Sequence, residues 1–356
     1  MMPSALTCIL EKLLCGSPLR EEQQKQLEYS TLQDQLRANA FGINPENVQA
    51  MLKSRSQLLP GVHAALEQWQ HCHKLAPRCL LETLWHLWLP LALQLIEYRR
   101  ALNRPLIQGV LGSQGTGKST LAAVLTFILS HMGYTALSLS LDDLYKTYDE
   151  RQQLQQQDPR LIWRGPPGTH DVQLGIQVLD QLRLNLANPI LIPRFDKSAQ
   201  AGAGDRTAPD VVGAVDLVLF EGWFVGVQPI DPVVFATAPP PIHTEIDRLF
   251  AKDMNARLQA YLPLWARLDR LLLLYPVNYR LSQQWRRQAE HEAIAAGKPG
   301  MNDATIDQFV EYFWRALHPE LFLKPLIKDA HKVDLVIEIN PDHSFGKLYR
   351  PGNLPG

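Results

Sequence analysis

The chain has 356 residues, 46% hydrophobic and 20% charged, a globular balance that suits one large domain or two modest ones. Its formal charge of −1 gives no sign of a polyanion-binding surface and argues against nucleic acid as a partner. The N-terminus shows no basic segment leading into an apolar run, and the most apolar stretch, Thr83–Ile96, is too short for a bilayer and holds His86 and Pro90, so a soluble, cytoplasmic protein with no membrane partner is expected.

Residues 1–100 read as helical. Leucines recur at three- and four-residue steps with Gln and Glu between them, and β-branched runs are absent. This accessory helical region should pack on the remainder of the chain, with Thr83–Ile96 as a buried helix and Trp85 and Trp88 in its core. The four cysteines, Cys8, Cys15, Cys72 and Cys79, all fall here. His71-Cys72-His73 lacks a second ligand pair at metal-binding spacing, so reduced thiols are the expected state.

The texture changes at Pro105. Apolar runs at Pro105–Leu111, Thr135–Leu141, Pro189–Ile192, Val215–Phe220, Leu271–Tyr275 and Val333–Ile339 alternate with helical stretches. Continuous apolar strands of this kind predict an α/β fold over residues 101–356, with a mostly parallel sheet covered by helices on both faces. Gln152–Gln157 reads as a solvated helix surface.

Directly after the first run, Gly112-Ser113-Gln114-Gly115-Thr116-Gly117-Lys118-Ser119 matches G-x-x-x-x-G-K-S/T, and Thr120 continues into a helical stretch. Glycines let the backbone N–H groups curl around phosphate oxygens, and the helix N-terminus adds favourable potential. Lys118 would reach the β- and γ-phosphates, and the Ser119 hydroxyl would ligate Mg²⁺, so ATP and Mg²⁺ are the expected cofactors. No Asn-Lys-x-Asp guanine-reading motif occurs.

Ser140-Leu141-Asp142-Asp143-Leu144-Tyr145 closes the second run. Ligands of open parallel sheets lie beyond the carboxyl ends of the strands, which puts Asp142 near the phosphate loop, where it could accept the proton of an attacking hydroxyl, hold a magnesium-bound water or cap the following helix, a capping role that also suits Asp143. Phe220-Glu221-Gly222-Trp223 has the Walker-B pattern, with Glu221 as a second Mg²⁺ ligand. Between them lies the stiff loop Trp163–Asp171, whose Arg164, His170 and Asp171 can grip a polyhydroxy acid, or merely enter a helix with Thr169 as cap. Arg194, Lys197 and Arg206 flank a glycine- and alanine-rich stretch suited to closing over a carboxylate. Trp285-Arg286-Arg287-Gln288-Ala289-Glu290-His291 reads as an arginine-bearing helix whose Arg286 could fold over the nucleotide and neutralise transferring charge.

Together, Ser140–Tyr145, R-G-x-x-G-T-H-D (164–171), Pro193–Ser198, Gly204-Asp205-Arg206, Phe220–Trp223 and Trp285–Glu290, in this order and with the phosphate loop Gly112–Thr120, resemble the P-loop D-glycerate 3-kinases, relatives of phosphoribulokinase, uridine kinase and pantothenate kinase. The resemblance spans roughly residues 104–340. It implies ATP-dependent phosphorylation of D-glycerate at its 3-hydroxyl, a step of photorespiration in plants and cyanobacteria. It further implies Asp142 as base, Lys118 on the phosphates, Ser119 and Glu221 at Mg²⁺, Arg286 on a lid and Tyr145 beside the substrate. Two departures bear on substrate fit: Gly300–Thr305 reads G-M-N-D-A-T rather than G-M-S-D-E-E, and Pro166-Pro167 stiffens its loop. A kinase for a pantothenate- or nucleoside-like acceptor, and a nucleotide-dependent switch, are the alternatives.

Overall fold

The computed structural model describes residues 5–73, 80–184, 188–295, 297 and 300–352, without the side chains of 70–73. His71-Cys72-His73 and Cys79 therefore lie outside the described side chains; Cys8 and Cys15 are free thiols. The strands are β1 Leu106–Gly112, β2 Ala136–Ser140, β3 Ile190–Asp196, β4 Asp205–Val212, β5 Leu217–Gly222, β6 Arg270–Pro276, β7 Leu335–Ile339 and β8 Phe345–Tyr349. Six of them form one sheet in the order β2-β5-β1-β6-β7-β8, parallel except for β8, which runs antiparallel to β7.

Every residue of β1 and β5 is buried, as central strands covered on both faces must be. Side chains alternate between the faces with period two. Leu106, Val110, Leu217, Leu219, Leu272 and Leu274 point to one side, where they meet the helix Lys118–His131 and the N-terminal helices in a single apolar core. Ile107, Leu111, Val218, Phe220, Leu271 and Leu273 point to the other, against the helices Val172–Leu184 and Glu245–Arg257 and the segment around Tyr312.

Thr83–Ile96 is a buried helical segment as expected, with Trp85 fully buried, but it contains a π-helical turn at Leu84–Trp88. A wider turn misaligns backbone carbonyls from their usual donors. Arg55, itself buried, donates its Nη1 to the Trp85 carbonyl at 3.4 Å and lies 5.1 Å from the Trp85 ring centroid. No helix among the described residues is long and apolar enough to cross a membrane.

One expected strand is misplaced in the sequence reading. The run Pro189–Ile192 starts β3, which lies outside the parallel sheet and pairs antiparallel with β4 as a separate hairpin. The physical reason is visible in the burial: Ile190 and Ile192 are covered while Leu191 between them is 56% exposed, so this is a one-faced strand and not a sheet centre. β8, a short strand with Gly346 and Lys347, gave no comparable apolar signal. The glutamine-rich helix Tyr148–Gln157 buries none of its residues.

Candidate functional site

The strand order assembles the site. β5 lies between β2 and β1, and the register places Glu221 opposite Val110 on one side and Ser140 on the other. The phosphate loop after β1, the Asp142 loop after β2 and Glu221 at the end of β5 therefore emerge side by side at the carboxyl edge, where open parallel sheets bind ligands.

Gly112–Ser119 forms a tight loop whose form depends on missing side chains. A Cβ on Gly112 would sit 2.6 Å from Thr116 Oγ1, and one on Gly115 (φ +79°) would sit 2.8 Å from Trp285 Cβ. Gly117, at φ +85°, starts the helix Lys118–His131. The Thr116 hydroxyl donates to the Ser113 carbonyl at 2.8 Å, and Lys118 Nζ donates to the same carbonyl at 2.9 Å. Desolvation pushes the Lys118 ammonium below its usual value, against the pull of Glu221 and Asp142. Ser119 Oγ donates to Glu221 Oε1 at 2.8 Å, and Thr120 lies exposed in the first helical turn.

After β2 the chain makes a capped 3₁₀ turn. Asp142 N donates to Ser140 Oγ at 3.2 Å and Ser140 N donates to Asp143 Oδ2 at 3.0 Å, so Asp143 caps the turn as expected while Asp142 faces the cleft. Burial would push the Asp142 carboxyl up, but Lys197 Nζ at 2.6 Å, with smaller help from His170 and the Tyr145 hydroxyl, holds it below the ordinary carboxylate range. Desolvation and the Asp142 charge push the Tyr145 phenol well above its usual value, which keeps it a neutral donor.

The cleft between these elements is lined by Gln114, Gly115, Lys118, Ser119, Asp142, Tyr145, Arg164, Lys197, Glu221 and Arg286, with Trp163, Trp223, Phe309 and Phe313 as aromatic walls. Arg286 projects from the helix Leu281–Ala295, pairs with Glu290 and lies 5.5 Å from the Phe309 ring centroid. Its buried Nε has no partner among the described residues. Arg164 donates Nη1 to the Gly202 carbonyl at 2.7 Å, which fastens the tip of the β3–β4 hairpin to the cleft wall.

Four of the expected substrate contacts are placed elsewhere. Arg194 is spent on Asp143 at 2.9 Å and Asp210 at 2.7 Å. Arg206 donates to the Tyr145 carbonyl at 2.9 Å and to Asp171 at 3.0 Å. Asp171 also accepts from Leu174 N at 3.0 Å, so it, and not Thr169, caps the following helix. His170 is buried behind Tyr145, the two rings stacked 4.5 Å apart. These four side chains brace the wall that carries Tyr145 and Asp142, and none of them lines the cleft.

Tyr261 gave no sequence signal for its part in this bracing. Its hydroxyl accepts from Gly168 N at 2.9 Å and pairs with His170 Nδ1 at 2.8 Å, pinning the 163–171 loop from more than 90 residues away. Desolvation drives the His170 ring down to about 3, so it is neutral at ordinary pH. Gly165, at φ +130°, packs so tightly that a Cβ would come within 2.3 Å of the Phe313 ring, and its carbonyl accepts from Trp223 Nε1 at 3.2 Å. The aromatic wall could have been suspected only for Trp163 and Trp223, which adjoin the Arg-Gly and Glu-Gly motifs.

A phosphate loop, an adjacent hydroxyl–carboxylate pair and a carboxylate facing the same cleft define a P-loop kinase. Comparison with known proteins agrees. The chain is 32% identical over 219 residues to the Schizosaccharomyces pombe protein described as an uncharacterized kinase, mug58, covering 59% of this chain and 79% of that one. It is 32% identical over 221 residues to the Saccharomyces cerevisiae protein described as a probable ATP-dependent kinase, TDA10, covering 57% and 73%. It therefore belongs to the family of P-loop kinases that contains these two yeast proteins. It is also 29% identical over 254 residues to the chloroplastic D-glycerate 3-kinase of Arabidopsis thaliana, covering 67% of this chain and spanning about half of that longer protein, 54%. Among solved structures, the D-glycerate 3-kinase of Cryptococcus neoformans var. grubii superposes with a TM-score of 0.63 at 27% identity, covering 73% of this chain and 96% of that one. The YGR205w protein superposes with a TM-score of 0.61 at 26% identity, covering 71% and 92%. No family model matches the chain.

Proposed function

We propose that the protein transfers the terminal phosphoryl group of ATP to the 3-hydroxyl of D-glycerate. The observation that carries this reading is the convergence of Lys118, the Ser119–Glu221 pair and Asp142 on one cleft, set by the strand order β2-β5-β1. The loop 112–119 would hold the triphosphate tail, its backbone N–H groups and Lys118 supplying donors to the phosphate oxygens. Ser119 and Glu221 present two hard oxygen donors already within 2.8 Å of each other, a set that fits Mg²⁺. No described group of three or more His, Cys, Asp or Glu side chains forms a metal cage, in keeping with an ion that completes its shell from phosphates and water. When bound, Mg²⁺ supplies charge neutralisation at the phosphates.

The acceptor hydroxyl attacks the γ-phosphorus, its proton passes to Asp142, and the β–γ bridging bond breaks to release ADP. Arg286 stands on the facing helix, where a guanidinium offsets charge on the transferring group. Lys197 and Arg164 are the cleft's cations on the acceptor side and suit a carboxylate. The curated relative and the solved structure named D-glycerate 3-kinase support glycerate over other acceptors.

The test is ADP release measured with a panel of hydroxy acids, pantothenate and nucleosides. Stimulation by D-glycerate alone is expected. Basal hydrolysis that no small molecule stimulates would overturn the reading in favour of a nucleotide-dependent switch.

A further inference from the structure

The base at the centre of the cleft is paired with a lysine. Lys197 Nζ sits 2.6 Å from Asp142 Oδ2, and the two side chains are unlike: Lys197 is 62% exposed, Asp142 28%. The lysine reaches in from the tip of the β3–β4 hairpin. The backbone around that tip is fixed elsewhere: Arg151 Nη2 donates to the Ala203 carbonyl at 2.8 Å, Arg164 donates to the Gly202 carbonyl at 2.7 Å, and Tyr148 N donates to Asp205 at 2.9 Å. Among the described residues Lys197 has no comparable contact, and its one ion-pair partner is Asp142, so a change of side-chain rotamer alone undoes the pair.

A carboxylate paired with an ammonium is a poor proton acceptor. Its nearest lone pair is occupied, and the positive charge stabilises its ionised form. Asp142 therefore gains basicity when Lys197 leaves. An ammonium has three donors and no acceptor, so a second anion competes for it more strongly than a neutral hydroxyl does. We propose that Lys197 is a charge gate: with no acceptor bound it silences Asp142, and it frees the base only for an alcohol whose own carboxylate, close to the reacting hydroxyl, takes over the ammonium.

This rests on the kinase reading above and adds the reason for its selectivity. The acceptor class is the short hydroxy acids; neutral polyols of the same size leave Lys197 on Asp142 and are not phosphorylated. Water, equally neutral, is refused for the same reason, which suppresses idle ATP hydrolysis. The other groups that face Asp142 do not duplicate the effect. Tyr145 is held as a neutral phenol, His170 as a neutral ring, and Lys118 belongs to the phosphate loop, donating to the Ser113 carbonyl.

The protein and its Lys197→Met variant are compared for ADP release with D-glycerate, with glycerol and with no acceptor, thermal melts confirming that this exposed substitution leaves the fold intact. For the variant, the gate requires three changes. The ratio of kcat/KM for glycerate over glycerol falls about 10–100-fold, the scale of one charge-assisted hydrogen bond. Acceptor-free hydrolysis rises. The acid limb of the glycerate kcat/KM profile moves to higher pH, because Asp142 remains desolvated without its ammonium. Lys197→Arg should restore the limb. A variant that only raises KM for glycerate, with hydrolysis and acid limb unmoved, overturns the gate and leaves Lys197 a plain carboxylate ligand. Failure of the unmodified protein to turn over glycerate is a different outcome and overturns the kinase reading itself.

Discussion

Ser119 and Glu221, 102 positions apart, share a hydrogen bond of 2.8 Å because β5 is laid directly against β1. A hydroxyl and a carboxylate so placed can both turn outward to one hard cation. Glu221→Gln keeps the shape and removes the charge. The Mg²⁺ concentration for half-maximal ADP release should rise roughly 10-fold or more, the scale of a lost charged contact. A magnesium titration in which the variant overlays the unmodified protein would place the ion elsewhere.

Asp142→Asn should lower kcat about 10²–10⁴-fold with little effect on nucleotide affinity, since the amide cannot take the acceptor's proton. Lys118→Ala should abolish turnover and weaken ATP binding as well. Calorimetric titration with a nonhydrolysable ATP analogue separates the two cases. Undiminished kcat in Asp142→Asn would remove the residue from proton transfer.

Acid should unfold the protein in a window set by two histidines. Desolvation holds His170 near 3 and His86 near 4, both well below the ordinary 6.5. Above pH 6.5 both rings are neutral in folded and unfolded chains and have no effect. As pH falls below 6.5 the unfolded chain binds protons that the folded chain refuses, so each histidine costs about 1.4 kcal/mol per pH unit. The loss continues to about pH 4 for His86 and about pH 3 for His170. Urea midpoints at pH 7.5, 6 and 5 should decline accordingly, and His170→Gln should flatten the slope by its share. A slope unchanged by that substitution would show that the ring is charged in the folded state.

Gly165→Ala places a methyl against the Phe313 ring at a φ of +130° that alanine rarely adopts. Backbone strain of about 1–3 kcal/mol and a similar overpacking term should both act. Denaturant unfolding should show the loss, and because the loop carries Arg164, KM for the acceptor should rise with it.

The phosphate loop, Asp142 and Glu221 were legible in the sequence because each sits within a few residues of a strand end and carries its own local signature. The central strands β1 and β5 were legible because complete burial leaves continuous apolar runs, and β2, β6 and β7, which are only partly covered, still keep enough apolar residues to be read as strands. Arg194, Arg206, His170 and Asp171 were legible as a cluster, yet their orientation was not. Whether an arginine faces a cleft or braces its wall depends on partners such as Asp143, Asp210 and the Tyr145 carbonyl, brought close only by the fold. The aromatic wall had the same problem: Phe309 and Phe313 lie on a helix more than 80 residues beyond Glu221, with nothing local to mark them.

The helix that starts at Lys118 buries Leu121, Leu125 and Leu129 in the same apolar mass as Leu59, Leu66, Leu84 and Leu89 from the N-terminal helices. The phosphate-binding helix is thus seated on a cushion supplied by residues far upstream of it. Expressed from Pro105 onward, the remainder would present that greasy seat to water, and such a fragment should self-associate or precipitate rather than survive as a minimal kinase.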